Sequence, residues 1–493
     1  MKRILYYSLA PIVCLALFWR VLFTWFNTDD FSLLWLASTV HDLPTLGYTL
    51  FHPIAQGTVR VLSDRVFYLT LYSLFGVAAA PFHVAILLTW FVALGLGASI
   101  GAKITGSRAA GLLAALLWTV SKAMVSPLAW AAIYEVVLCA FFALAALYSR
   151  TRWLDTRAPV WHAAEWAFYI LGFGAQESVV MYPAVAALYT WAVARRDITK
   201  KDERGVFFLW IPAIAFTVIH ALFVPKLPTE IYRISVDSRL PVTLATYLRM
   251  AVGPEHYASR KVLLLALATF ALWRLRRRAS PEFGAALFCV GWFLLWLAPV
   301  LLLPNHITEY YLATPLAGLA WLGGWAIVSA WRAGWLRRAA VAGCLTLYLA
   351  NALPAIRNGT AWYLEGTSRM RLAFRGMEEA AYQHPGAMMI LRGVDDDLFK
   401  MGFEENPFRL AGASQGFLAP GTEKDITVAR EDLGGISRLT ISRADALRAI
   451  DRGQARVLEI ERHGPPRDIT REYESALRSE LLASGAGAVA AIH

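Results

Sequence analysis

Two adjacent carboxylates, Asp29 and Asp30, follow the first long apolar run, Ile4 to Phe26, in the stretch Phe26-Asn27-Thr28-Asp29-Asp30-Phe31. An acidic pair at the mouth of a membrane span is costly, because ionised groups partition poorly there and repel each other. A lone aspartate, with a pKa near ~3.9, is a feeble base at neutral pH. A like charge beside it and partial desolvation raise that value towards usefulness. The chemistry such a pair can do is removal of a proton from a hydroxyl at a bilayer surface, with Asp29 as base and Asp30 as its support. The plain alternative is a pair of solvated caps flanking a helix.

The elements that must position these groups follow from composition and charge pattern. The chain has 493 residues, 57% hydrophobic and only 17% charged, which excludes an ordinary soluble globular protein. Apolar runs recur from residue 4 to about 353 and then stop. We read eleven spans, roughly 4–26, 82–101, 109–124, 131–149, 162–176, 178–194, 206–224, 261–275, 283–303, 311–331 and 338–354. The net charge of +11 is dispersed over juxtamembrane loops, which speaks against a nucleic-acid partner. Lys103 and Arg108, Arg150 to Arg157, Arg195 to Arg204, Arg274 to Arg278 and Arg332 to Arg338 occupy every second loop. The short loops around Ser126, Gln176 and Asn305 are almost without cations. This is the positive-inside pattern, and it places the N-terminus in the cytoplasm.

The fold class expected is therefore a polytopic all-α membrane domain, residues 1–354, with a small C-terminal soluble α/β domain, residues 355–493, on the outer side. External loops are expected over 27–81 and 225–260, the first holding interfacial helices around 31–40 and 60–78. Cys14, Cys139, Cys289 and Cys344 all fall in apolar runs and read as small buried hydrophobes. In the tail, Ser368–Gln383 has a helical pattern and Ala387–Leu391 that of a strand. Leu439–Ile441, Ser442–Asp451 and Arg456–Ile460 read as strand, helix and strand. Asp395-Asp396-Asp397 reads as a solvated turn in preference to a cation site.

With this topology the acids Asp29, Asp30, Asp42, Asp64, Glu135, Glu177, Glu230, Asp237, Glu255 and Glu309 all map to one side. Glu135 and Glu177 lie just inside span ends, where an unpaired charge is expensive. Each alone reads as an interfacial residue paired with Arg or Lys; the set reads as a polar cleft facing outward.

Four stretches carry a family likeness: Thr28-Asp29-Asp30-Phe31; Phe51-His52-Pro53-Ile54 followed by Ser73-Leu74-Phe75-Gly76; Gly174-Ala175-Gln176-Glu177-Ser178; and Glu309-Tyr310-Tyr311-Leu312 with Pro315. In this layout the chain resembles the GT-C superfamily of membrane glycosyltransferases, and within it the bacterial relatives of protein O-mannosyltransferases. Gln176 stands where that pattern has Lys, and Glu309 where it has Arg. The resemblance implies an inverting transferase of the bacterial plasma membrane. Its donor is a sugar on a polyprenyl phosphate, and its acceptor is a protein, lipid or glycan hydroxyl at the outer face. Asp29 takes the acceptor proton. The leaving phosphate needs cations, and Arg suits bidentate contact. Arg60 is favoured, with Arg233 or Arg239 from the second loop. Arg65, His52, Glu135, Glu177, Tyr310 and Tyr311 complete the expected substrate contacts. Lys226 and His256 are also placed outside. No cofactor is called for, although a divalent cation is left open by the adjacent acids. A lipid-linked-sugar flippase and an inactive scaffold subunit stand as the alternatives.

Overall fold

A bilayer offers backbone groups no water to bond, so apolar runs can span it only as helices. The computed structural model follows that rule. It describes residues 2–53, 57–195, 198–224, 230–253, 257–278, 280–430, 434–462 and 464–490. The chain divides into two units.

The first unit comprises residues 1–22, 46–71 and 81–361. Among the described residues six helices are long and apolar enough to cross a membrane: Ile4–Phe23, Ala80–Thr105, Ala131–Thr156, Lys200–Leu222, Pro281–Leu301 and Trp335–Gln383. A seventh is formed if Arg108–Thr119 and Lys122–Ala129, bent by 66° at the break between them, count as one span. The remaining expected spans correspond to other helical segments: Pro159–Gly172, Tyr182–Leu188 running into Tyr189–Val193, Tyr257–Leu275 and Leu316–Trp331. Indole rings fill much of the interior, with Trp90, Trp118, Trp292, Trp296 and Trp321 all fully buried. Leu316–Trp331 lies directly on Arg108–Thr119. A Cβ at Gly324 would stand 2.4 Å from the Ala110 carbonyl oxygen, so this close approach needs glycine.

The ends of the bundle differ in charge. Glu135 begins Tyr134–Thr156 and Arg150 comes near its end, about 22 Å further along at 1.5 Å per residue. Around the Arg150 end, basic-loop residues are paired: Lys103 with Asp155 at 2.5 Å, Arg157 with Asp202 at 2.5 Å and Arg274 with Glu282 at 2.5 Å. Arg150 itself is buried and holds the buried Glu165 at 2.9 Å, and the Tyr182 hydroxyl donates to the same carboxylate at 2.8 Å.

The second unit comprises residues 23–45, 72–80 and 362–493. Its sheet has strands β1 (Met388–Arg392), β2 (Gly416–Leu418), β3 (Ala455–Glu459) and β4 (Arg467–Asp468), in the order β2-β1-β3-β4. β1 pairs in parallel with β2 (Ile390 opposite Phe417) and with β3 (Ile390 opposite Val457). β4 runs antiparallel to β3. Helices Arg443–Asp451 and Thr470–Ala490 pack on it through Ala446, Ile450 and Leu477 against Ile390 and Val457.

Several expectations change in detail. The helix expected at Ser368–Gln383 is the last part of one 49-residue helix, Trp335–Gln383, which runs on without a break from the last apolar segment. Its Pro354 leaves the helix continuous. Leu439–Ile441 is no strand: Ile436–Leu439 is a tight helical turn, and Thr440 makes only an isolated bridge to Leu418. The expected 31–40 helix is Asp30–Ser38. The expected 60–78 helix is a wide π-turn, Val61–Val66, followed by Phe67–Phe75. A further helix, Leu43–Phe51, was hidden by its Pro and Gly.

Candidate functional site

The acidic pair sits in the second unit, at the start of helix Asp30–Ser38. Asp29 is exposed, whereas Asp30 is fully buried and accepts the Asn27 amide at 2.9 Å through Oδ2. The pair is thus divided: one carboxylate faces outward and the other braces the turn that presents it. Thr28, between Asn27 and Asp29, has φ +46°, a left-handed conformation that a β-branched residue adopts only under constraint. The constraint comes from the C-terminal domain. The Thr28 amide donates to the Met401 carbonyl at 2.9 Å, and its hydroxyl to the Lys400 carbonyl at 3.2 Å. Ser32 donates to Glu405 at 2.6 Å, Trp25, Phe31 and Phe374 pack their rings together, and Arg409 lies 4.8 Å above the Trp35 ring.

A second polar centre lies in the first unit, around Arg60. Its Nε and Nη2 donate to both oxygens of Glu177 at 2.9–3.1 Å, and Nη1 lies 2.8 Å from Glu135. Three residues far apart in sequence are thereby joined. The side chains are only 18%, 10% and 28% exposed for Arg60, Glu135 and Glu177. Burial opposes ionisation of Glu177, but the Arg60 charge and its hydrogen bonds outweigh it and hold the carboxyl below its usual range. The turn Val61–Val66 that carries this centre docks on the stretch preceding Glu177: Leu62 donates its amide to the Gly174 carbonyl at 2.8 Å, and the Ser63 hydroxyl donates to Ala175 at 2.9 Å. A Cβ at Gly174 would stand 2.8 Å from Leu62 Cγ, which explains the glycine there.

Two further groups enter from the same turn. Asp64 is 7% exposed and accepts from Ser63 at 2.8 Å; burial pushes its carboxyl up, against the pull of Arg60. Arg65 is 1% exposed. Its Nη2 reaches only the His52 carbonyl, at 3.4 Å, and Nε and Nη1 have no hydrogen-bond partner among the described residues. His52 itself stacks on Tyr48 at 4.2 Å.

Tyr310 and Tyr311 occupy the turn Glu309–Leu312, with ring centres 4.7 Å apart. His306 bonds the Tyr310 hydroxyl at 3.1 Å and packs on Tyr232. Burial raises the Tyr310 phenol, and the Glu135 charge adds to this. Glu309 pairs with Lys122 at 2.7 Å. Lys122 is the residue that sequence reading missed. It opens Lys122–Ala129, the second half of the bent pair, inside the expected span 109–124, and its signal was a lone Lys between two apolar half-helices. Thus Glu309, where a cation was expected, finds its cation on another segment.

Arg233 and Arg239 are not drawn into these contacts. Arg233 pairs with Glu230 at 3.3 Å; Arg239 forks onto Asp237 and also reaches Asn305 at 3.0 Å, all at exposed positions. Ile54, Lys226, Glu255 and His256 lie outside the described residues. The Asp395–Asp397 run is spent on local structure: Asp395 caps helix Asp396–Met401 and holds Arg369 at 2.7 Å, and Asp396 accepts from Thr427 at 2.6 Å. Among the described residues no three His, Cys, Asp or Glu side chains gather as metal ligands.

No protein-family model and no curated protein matches this sequence. Solved structures do. The oligosaccharyltransferase of Archaeoglobus fulgidus, tethered to an acceptor peptide containing the NVT sequon, aligns at 10% identity and TM-score 0.51 over 92% of this chain and 68% of that one. ArnT from Cupriavidus metallidurans, bound to undecaprenyl phosphate, aligns at 12% identity and TM-score 0.48 over 93% of both chains. At such identities the likeness is one of fold, and the argument rests on the first of these. The chain shares its fold with this oligosaccharyltransferase.

Proposed function

We propose that this protein is an inverting glycosyltransferase that moves a sugar from a polyprenyl-phosphate donor to an acceptor hydroxyl. The polar centre that joins Arg60, Glu135 and Glu177 from three separate segments is the observation that carries the reading, within a fold similar to that of an oligosaccharyltransferase. Asp29 accepts the proton of the acceptor hydroxyl. The oxygen attacks the anomeric carbon, the bond to the phosphate oxygen breaks, and its electron pair leaves with polyprenyl phosphate. The anomeric configuration inverts. Phosphate leaves readily and needs cations more than an acid.

Arg60 has its Nε, Nη1 and Nη2 engaged by carboxylates. We therefore assign it to holding Glu135 and Glu177 for the sugar hydroxyls, and give the phosphate to Arg65. A buried guanidinium with two nitrogens unpartnered among the described residues is an expensive arrangement, and an anion would offset the expense. The topology is eleven crossings with the N-terminus in the cytoplasm of a bacterial plasma membrane and the C-terminal domain outside. The sugar and the acceptor are not specified by these residues.

Asp29→Asn tests the assignment in membranes supplied with a radiolabelled polyprenyl-phosphate sugar. Release of polyprenyl phosphate should fall by about 10²–10⁴-fold while donor binding persists. Undiminished release by this variant would remove Asp29 from the mechanism.

A further inference from the structure

The C-terminal domain has a cavity that the proposed transfer does not use. It measures about 550 Å³ and opens at the carboxyl ends of the three parallel strands, within the size range of ligand pockets. Its walls are the segments that leave those strands: Arg392-Gly393-Val394 after β1, Ala419 to Thr422 after β2, and Glu459 to Arg462 after β3. The strand order β2-β1-β3 means that the chain leaves β1 on one side for β2 and later returns to its other side as β3. Such a reversal opens a crevice outside the carboxyl ends of the strands, the place where open α/β sheets bind ligands.

The lining decides what kind of ligand fits. Arg392 and Arg462 supply forked donors, Asp425, Glu459 and Glu461 supply acceptors, and Tyr473 supplies a half-buried ring. Glu459 is already held by Arg467 at 2.9 Å, which leaves Arg392 and Arg462 matched by Asp425 and Glu461; a crevice without net charge gives a phosphate or another anion no preference. A polyhydroxylated, uncharged ligand suits the wall better. Its hydroxyls donate to the carboxylates and accept from the guanidinium groups, and its apolar ring face packs on the tyrosine.

We propose that this crevice is a carbohydrate-binding subsite for a neutral glycan. On the reading of the protein as a glycosyltransferase, the glycan it holds is the acceptor. This would make the soluble domain the acceptor-recognition element, with the donor held by the membrane helices.

The test uses the full-length protein in detergent and needs no turnover, so its result is independent of the transferase reading. Neutral trisaccharides of glucose, mannose, galactose and arabinose are titrated separately up to about 10 mM, where a millimolar site is filled, with saturation-transfer NMR as readout. At least one should bind saturably. The exposed-residue variants Arg462→Ala and Glu461→Gln should each weaken it roughly ten-fold or more, with unchanged melting temperature, while Asp29→Asn binds as the parent does. Absence of binding by all four sugars, indifference to both variants, or displacement by ADP at equal concentration would overturn the proposal. Binding by Asp29→Asn without turnover would support the subsite and leave the base assignment intact; sugar binding in a protein that shows no transfer at all would support the subsite and sink the enzyme reading.

Discussion

Arg60 shows how a single side chain can organise distant segments, and its removal should be felt in stability as well as in activity. Arg60→Ala leaves two largely buried carboxylates close together with their shared cation gone. Breaking a fully buried pair costs ~3–5 kcal/mol; these groups still reach some water, so we expect about 2–3 kcal/mol, read from denaturation in detergent. The same substitution should change the acid limb of stability. Glu177 is held below its usual range in the folded protein, so its contribution is present above the ordinary carboxylate pKa of ~4.3 and is lost as pH falls through its lowered folded value. Melting temperature of the parent should therefore fall below about pH 4–5 more steeply than that of Arg60→Ala. Identical acid limbs would show that the pair contributes nothing to linkage. Arg65 should behave in the opposite sense to Arg60. Its guanidinium is buried with Nε and Nη1 unpartnered among the described residues, so Arg65→Leu removes a desolvation cost. Stability should hold or rise while donor affinity drops roughly ten-fold. A variant that loses stability and keeps its affinity would reassign Arg65 to a structural role.

The elements that carry these residues are irregular where the charged side chains gather. The turn Val61–Val66 is wound wide, Lys122 follows a 66° break, and Thr28 is left-handed. Such features concentrate where a fold over-determines a site. Gly174 allows Leu62 to come close, and Gly174→Val should push the turn that bears Arg60 away from Glu177. We expect a loss of activity greater than that of a comparable substitution on a lipid-facing helix position, measured as donor turnover at equal expression. Thr28→Asn tests the acidic turn. Asn accepts the left-handed conformation more readily than a β-branched residue does, so stability should rise by about 0.5–1 kcal/mol. A fall in melting temperature would mean that the Thr28 hydroxyl contacts outweigh the strain.

At the scale of the whole molecule, the acidic turn and the C-terminal domain form one unit although some 350 residues separate them in sequence. The carbonyls of Lys400 and Met401 hold the backbone of Thr28, one residue before Asp29. A chain ending at residue 383 should insert in the membrane and elute as a monodisperse species, since its apolar helices are intact, yet lose turnover. Retained activity in that truncation would show that the tail does not position Asp29.

Much of this was written in the residue order. Apolar run length specifies a helical membrane protein because the bilayer leaves the backbone no alternative, and alternate basic loops register which ends face together. The acidic pair, Glu135, Glu177 and Arg60 could be picked out because charge near a span is expensive and so needs a reason. What periodicity and charge cannot express is partnership. That Arg60 spends its nitrogens on Glu135 and Glu177, that Asp30 turns inward while Asp29 faces out, and that Lys122 answers Glu309 are consequences of backbone paths that bring together segments distant in sequence. The crevice of the C-terminal sheet belongs to the same class, because strand order is set by packing among strands and leaves no local mark in sequence.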